Sequence, residues 1–104
     1  MKILFNEKFY NSDYTTDSAA EPGRMEAIID AVRARPDYEI FQFTSADYKD
    51  ILKVHGQQYI ESVQQNKALY EMALLAAGGA IQAAEIALHA TPAFACIRPP
   101  GHHA

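Results

Sequence analysis

The sequence predicts an α/β protein in which a short parallel sheet is flanked by helices. Three apolar segments of strand length, residues 2–5, 38–43 and 94–97, alternate with segments whose apolar residues recur at helical spacing. The last of them, Phe-Ala-Cys-Ile, shows no polar alternation, which is typical of a strand buried on both faces of a parallel sheet. Strands that alternate with helices in this way usually form parallel βαβ units.

Length and composition favour one soluble globular domain, residues 1–104, with a modest core. Apolar residues make up 49% of the 104 positions and charged residues 21%, which excludes a disordered chain. We expect a cytoplasmic protein, because no apolar run has the length to span a bilayer and residues 1–6 are too short for a signal peptide. The net charge of −4 argues against a nucleic-acid-binding surface. The single cysteine, Cys96, lies inside an apolar strand, and we expect it to pack there and not to act as a nucleophile.

After the first strand, a polar loop over residues 11–18 has the composition of loops that often surround a site. Ser18 and Glu21 are spaced as a capping box for the first helix, and Pro22 suits its first turn. The apolar face of this helix carries Met25, Ile28, Ile29 and Val32.

A short helix follows the second strand. Thr44 and Asp47 predict its cap, and Gly56 predicts its end. Its apolar positions are Tyr48, Ile51, Leu52 and His55. We interpret His55 as a buried, hydrogen-bonded imidazole that positions the next turn.

A longer helix is predicted over residues 67–88, after a shorter one that directs Tyr59, Ile60 and Val63 toward the core. Gly78 and Gly79 in its Ala-rich stretch would let helix and sheet backbones come close. The same pattern occurs in membrane helices, but polar residues argue against a membrane segment here. These residues are Glu71, Gln82 and Glu85.

Residues 98–104, Arg-Pro-Pro-Gly-His-His-Ala, continue from the third strand. Ligands of open α/β sheets bind beyond the carboxyl ends of the strands, and the two prolines would stiffen the chain there. Gly101 permits a close backbone approach and is a candidate substrate-binding residue. His102 and His103 suit a division into general base and general acid, because neighbouring imidazoles seldom both carry a proton near neutral pH. A tag remnant and two solvated loop histidines are alternatives, although a tag does not explain the preceding residues.

Residues 93–104 resemble the tandem-histidine motif of zinc-dependent histone deacetylases and acetylpolyamine amidohydrolases, and such a string is highly specific. Weaker similarities occur in the family's order at residues 21–24, 54–59 and 76–80. Residues 1–6 resemble the first strand of the bacterial acetylpolyamine amidohydrolase branch. The resemblance covers nearly the whole chain. It implies the N-terminal part of a three-layer, arginase-like deacetylase fold, in which the first of three parallel strands lies between the others, giving the order 2-1-3.

The resemblance also implies roles for individual residues. His102 matches the general base that acts on a zinc-bound water, and His103 matches the electrostatic partner or general acid for the leaving amine. Arg24 matches an arginine that lines an internal product channel, where acetate is held; without the resemblance it is an ordinary arginine at a helix N-terminus. The loop over residues 11–18 matches the mouth of the substrate channel.

The chain also departs from the family pattern. The family's zinc ligands, an Asp-x-His strand end and a further Asp, and its oxyanion tyrosine all follow the histidine pair, and none has a counterpart here. A hydrolytic zinc needs about three protein ligands and an open position, and the adjacent His102 and His103 would point apart. We therefore expect no metal on this chain alone. Only residues 64–70 stand where the polyamine branch has a long insertion, which weakens the case for polyamine specificity.

Three functions stay open at this stage. The chain is part of a zinc-dependent deacetylase that hydrolyses N-acetyl amides, such as acetyl-lysine or acetylpolyamine, and is catalytically incomplete by itself. Alternatively it is a noncatalytic binding or assembly module, or it completes a site on a separate polypeptide. We expect a homodimer or larger assembly, because the far edge of the third strand would otherwise lack a neighbour. Neither nucleic acid nor a membrane is an expected partner.

Overall fold

A computed structural model describes residues 1–99 of the chain. Two short 3₁₀ helices, Glu7–Tyr10 and Ser18–Ala20, occur in the segment between the first strand and the first α-helix. The strands and α-helices, in chain order, are β1 (Lys2–Leu4), α1 (Arg24–Arg33), β2 (Glu39–Phe41), α2 (Tyr48–Leu52), α3 (Gln57–Gln64), α4 (Lys67–His89) and β3 (Ala93–Ala95).

The three strands form one parallel sheet in the order β2-β1-β3, which confirms the predicted α/β class and strand order. Ile3 lies opposite Ile40 on one side and Phe94 on the other. The central position of β1 explains why Ile3 and Leu4 are 2% and 0% exposed. The regular strands are shorter than the predicted segments, although single hydrogen bonds extend the pairing by a residue, such as the Cys96 N–H donating to the Leu4 carbonyl at 2.9 Å.

The expected burial of the third strand on both faces is wrong. Phe94 in β3 is 56% exposed, whereas Cys96, just after the strand, is 5% exposed. Within the described part of the chain, β3 pairs only with β1 and is an edge strand. The apolar run therefore predicted a strand of this sheet correctly. It did not predict which side chains of the strand are buried.

The glycine pair of α4 lies where the helix approaches other parts of the chain most closely. A Cβ on Gly78 would collide with the carbonyl oxygen of Thr44, in the loop after β2. A Cβ on Gly79 would lie 2.7 Å from Phe43 Cζ and 2.8 Å from Ile97 Cγ2. The predicted close approach is confirmed, but the neighbours are the segments just beyond β2 and β3.

Helix α4 is long and apolar enough to cross a membrane by length and composition, contrary to the expectation that no segment would be. A core helix of a soluble protein satisfies the same criterion. One side of α4 packs in the hydrophobic core, to which it contributes Met72, Leu75, Ala76 and Ala83. The absence of a membrane partner stays a prediction.

The predicted capping box of Ser18 and Glu21 is wrong. Ser18 begins a 3₁₀ helix whose N-cap is Asp17, and Asp17 Oδ1 accepts a hydrogen bond of 2.9 Å from the backbone N–H two residues on. Helix α1 begins only at Arg24, beyond the proline predicted in its first turn. The preceding Gly23 has a φ of 92°, a left-handed conformation that favours glycine and separates the two helices.

Predicted apolar faces were only partly correct in the other helices. Ile29 is fully buried in α1, but Ile28 is 41% exposed because the adjacent position is turned about 100° around the axis. In α2, Ile51 is half-buried, whereas Tyr48 and Leu52 are exposed. Asp47 occupies the predicted N-cap position with extended backbone, but its side chain makes no capping hydrogen bond.

The predicted inward orientation of Tyr59 is wrong, since its side chain is 54% exposed. Its neighbour Ile60 is 2% exposed and supplies the contact of α3 with the interior. His55 lies after the end of α2, is half-buried, and has its ring 5.0 Å from the Tyr59 ring. The predicted burial of its imidazole is therefore wrong, and the predicted hydrogen bond stays a prediction.

Replacing Gly78 with alanine tests the close approach of α4. In an exposed helix this change would stabilise the chain by about 1 kcal/mol, but here the new methyl group meets backbone atoms that cannot rotate away. We expect Gly78→Ala to lower the free energy of unfolding by roughly 2–3 kcal/mol, measured by urea denaturation.

Gly56→Ala is the matched control, because a Cβ at Gly56 would meet nothing within 4 Å. Its cost is limited to the poorer N-cap preference of alanine, about 1 kcal/mol or less. Equal effects of the two substitutions would contradict the assigned contact at Gly78.

Candidate functional site

Three segments leave the same edge of the sheet. Because all three strands are parallel, their carboxyl ends meet there, which is where ligands of open α/β sheets bind. The segment after β1 contains the first 3₁₀ helix and residues 11–14, the segment after β2 contains Ser45, and the segment after β3 leads through residues 96–99 to the histidine pair. Any chemistry of this sheet is expected at this carboxyl edge.

Arg98 is the only buried charged residue in the described part of the chain, with 5% exposure. Its Nη2 donates to the carbonyl oxygens of Tyr10 and Asn11, each at 3.4 Å. These bonds join the segments after β1 and β3, which are far apart in sequence. Within residues 1–99, its Nε and Nη1 are buried without a hydrogen-bond partner. Buried guanidinium groups are usually paired, so this residue is unusual.

Tyr14 lies within electrostatic reach of Arg98 and is 5% exposed. Burial raises the pKa of the phenol, while the nearby positive charge of Arg98 acts in the opposite direction and Asp17 adds to the rise. The phenol is therefore protonated at neutral pH and can donate a hydrogen bond. The carboxyl edge thus combines a neutral donor with a buried cation.

A partly open cavity of about 350 Å³ lies at this edge. Lys8, Asn11 and Tyr14 from the segment after β1 line it, together with Ser45 and with Glu71 of α4. Its size falls in the range of small-molecule sites, and its wall carries charged groups of both signs beside apolar residues of α4. Asn11 and Tyr14 are also neighbours of Arg98, which does not itself line the cavity.

The site residues predicted from sequence are only partly within the described structure. Arg24 is exposed at the first position of α1, and its role in a product channel stays a prediction. Gly101, His102 and His103 lie outside the described residues, and their roles stay predictions. Sequence reasoning did not single out Arg98. The available signal was a charged residue placed directly after an apolar strand.

The described residues do not fit a zinc site. Within residues 1–99, no group of three or more His, Cys, Asp or Glu side chains lies close enough together to hold a metal ion. A hydrolytic zinc needs about three such ligands. Zinc dependence, like the expectation that this chain alone binds no metal, therefore stays a prediction.

Comparison with known proteins links the chain to a deacetylase. It is 29% identical to a "Probable deacetylase" of Archaeoglobus fulgidus over an alignment of 123 positions. The alignment covers 98% of this chain but 34% of the relative, so the chain spans about a third of that protein's length. No protein-family model matches the sequence.

Cys96 is not part of a reactive site in this arrangement. It is 5% exposed, and burial raises the pKa of its thiol, so the reactive thiolate is disfavoured. Its backbone N–H is held by the Leu4 carbonyl. These observations agree with a packing role.

We expect Cys96 in the folded chain to react with a thiol reagent on the order of 100-fold more slowly than in guanidinium chloride, because reaction requires opening of the core. In the unfolded chain the rate should rise with pH near the ordinary thiol pKa, whereas in the folded chain the rise should come at higher pH. Rapid reaction of the folded chain at neutral pH would contradict the packing role.

Proposed function

We propose that this chain is the N-terminal part of a zinc-dependent deacetylase that hydrolyses N-acetyl amides, such as acetyl-lysine or acetylpolyamine. The observation that carries the proposal is that the first part of the tandem-histidine motif, residues 93–99, forms β3 and its exit at the carboxyl edge of the sheet. Arg98 lies at this edge, and its neighbours Asn11 and Tyr14 line a cavity of ligand size. The similarity to a "Probable deacetylase" over 98% of the chain supports the deacetylase part of the proposal.

In this proposal the two histidines divide the proton transfers. His102 accepts a proton from the water that attacks the amide carbonyl, and His103 donates one to the leaving amine. Arg24 lines the channel for the acetate product, and Gly101 allows the backbone to approach the substrate closely. The zinc ligands and the oxyanion tyrosine come from residues outside this chain, so the isolated chain is catalytically incomplete.

The proposal is tested by measuring acetate release from acetyl-lysine and acetylpolyamine with zinc present. We expect no turnover by the 104-residue chain. If the natural reading frame continues past residue 104, we expect the longer protein to be active. His102→Ala in that protein should lower kcat by on the order of 100-fold or more, because the general base is lost.

His89→Ala is the matched control, because His89 is exposed at the end of α4, outside the proposed site. It should leave the rate of acetate release unchanged. Robust turnover by the 104-residue chain that disappears in His102→Ala would overturn the incompleteness of this chain. An active longer protein that is insensitive to His102→Ala would overturn the assigned base.

A second candidate is a noncatalytic, homo-oligomeric binding or assembly module derived from the same fold. It is favoured by Phe94, which is 56% exposed on the edge strand β3. Exposed apolar edges promote association, and a second copy would cover this one. Both candidates include a cytoplasmic location, with neither nucleic acid nor a membrane as a partner.

Size-exclusion chromatography with light scattering tests this second candidate. We expect a dimer or larger assembly, which Phe94→Lys should shift toward monomer by placing a charge on the open edge. Val54→Lys is the control, since Val54 is 80% exposed in the turn after α2. A stable monomer at high concentration would remove the oligomer from the proposal.

A further inference from the structure

Within residues 1–99, the buried guanidinium of Arg98 forms no ion pair. Its side chain is 5% exposed, and the ion pairs within residues 1–99 involve other cations: Arg35, Lys53 and Lys67. A charge removed from water is costly unless an opposite charge and further hydrogen bonds accompany it. The polypeptide described here provides only part of that environment.

The contacts that Arg98 does make involve one end of the guanidinium group. Nη2 donates to two neutral carbonyl oxygens at 3.4 Å, which is long for an N–H···O hydrogen bond. Nε and Nη1 stay buried without partners within residues 1–99. The remaining donors can therefore bind an acceptor without breaking the contact to Tyr10 and Asn11.

The surroundings favour one class of acceptor. A planar carboxylate matches the planar guanidinium in charge and geometry better than a neutral oxygen does. Tyr14 adds a hydroxyl donor close to the cation, and neither it nor the two carbonyls supplies negative charge. Asn11 and Tyr14, which both neighbour Arg98, line the adjacent cavity, whereas Arg98 itself does not, so a ligand would reach the guanidinium through this part of the wall.

We propose that Arg98 is the anchor of a carboxylate-binding site at the carboxyl edge of the sheet. The site goes beyond the proposed deacetylase function and does not depend on it, because it requires no proton transfer and no metal. A carboxylate could come from a small free molecule such as acetate, or from an Asp or Glu side chain of a second copy of the chain. Both sources present the same group to Arg98.

The experiment follows the Arg98 Nε–H signal by NMR in the ¹⁵N-labelled chain, with the signal assigned by its loss in Arg98→Lys. Sodium acetate is titrated against sodium chloride at equal ionic strength. If acetate occupies the site, the signal should shift saturably with acetate and not with chloride, and the unfolding temperature should rise in parallel. Arg98→Lys should bind acetate about tenfold or more weakly, because the planar fork is lost.

Arg98→Met should abolish the acetate effect on the unfolding temperature. Arg33→Met, which removes an exposed arginine at the end of α1, should keep it. If Arg98→Met fails to fold, the wild-type titration decides the question by itself.

A dilution series without acetate separates the two sources. Movement of the Arg98 signal on dilution, together with dissociation of an oligomer, would identify a carboxylate of a second copy. Movement only with acetate would identify a small free carboxylate. A signal insensitive to both treatments would overturn the proposal, as would an acetate effect that persists in a folded Arg98→Met variant.

Discussion

The close contact of α4 with the ends of β2 and β3 is the constraint on which the rest of the structure depends. Gly78 and Gly79 leave no room for a side chain between the helix and the segments that follow these strands. Larger residues there would push the helix outward and move the Thr44 loop and Ile97 with it. The geometry of the carboxyl edge is therefore set by two positions that carry no chemistry themselves.

Arg98 adds a polar connection at the same edge. It binds the carbonyls of Tyr10 and Asn11, and thereby ties the segment after β3 to the segment after β1. A neutral side chain of similar length could pack there without the cost of desolvating a charge. A buried cation that forms no ion pair within residues 1–99 is therefore a cost to stability, and this cost falls at the edge that also holds the cavity.

The helices and the strand order could be predicted from the sequence, because helical spacing is a local pattern and the tandem-histidine motif is a specific one. Helical spacing located α4 to within a residue of its observed end, and the motif resemblance predicted the strand order. Errors arose where neighbours in space decide the outcome. Phe94 is exposed because β3 is an edge strand in the described part of the chain, and Tyr59 is exposed because Ile60 takes the inward position.

The candidate site was harder to predict than the fold. The partners of Arg98 are backbone carbonyls, which every residue carries, so they leave no mark in the sequence. The cavity is equally hidden, since its wall combines Lys8, Ser45 and Glu71 from three separate segments. The histidine pair, in contrast, was recognisable because adjacent imidazoles after a strand and two prolines form a distinctive string.

The outer edge of β3, which no strand within residues 1–99 covers, links the two proposed functions, because an edge can be paired only once. In a longer protein, a further parallel strand would take the outer hydrogen-bonding positions of β3 and bring cover to Phe94. In a self-associating module, a second copy would take the same positions. A fourth strand from the same protein would therefore leave no free edge for a second copy to pair with. Intramolecular pairing and self-association are thus mutually exclusive at this edge.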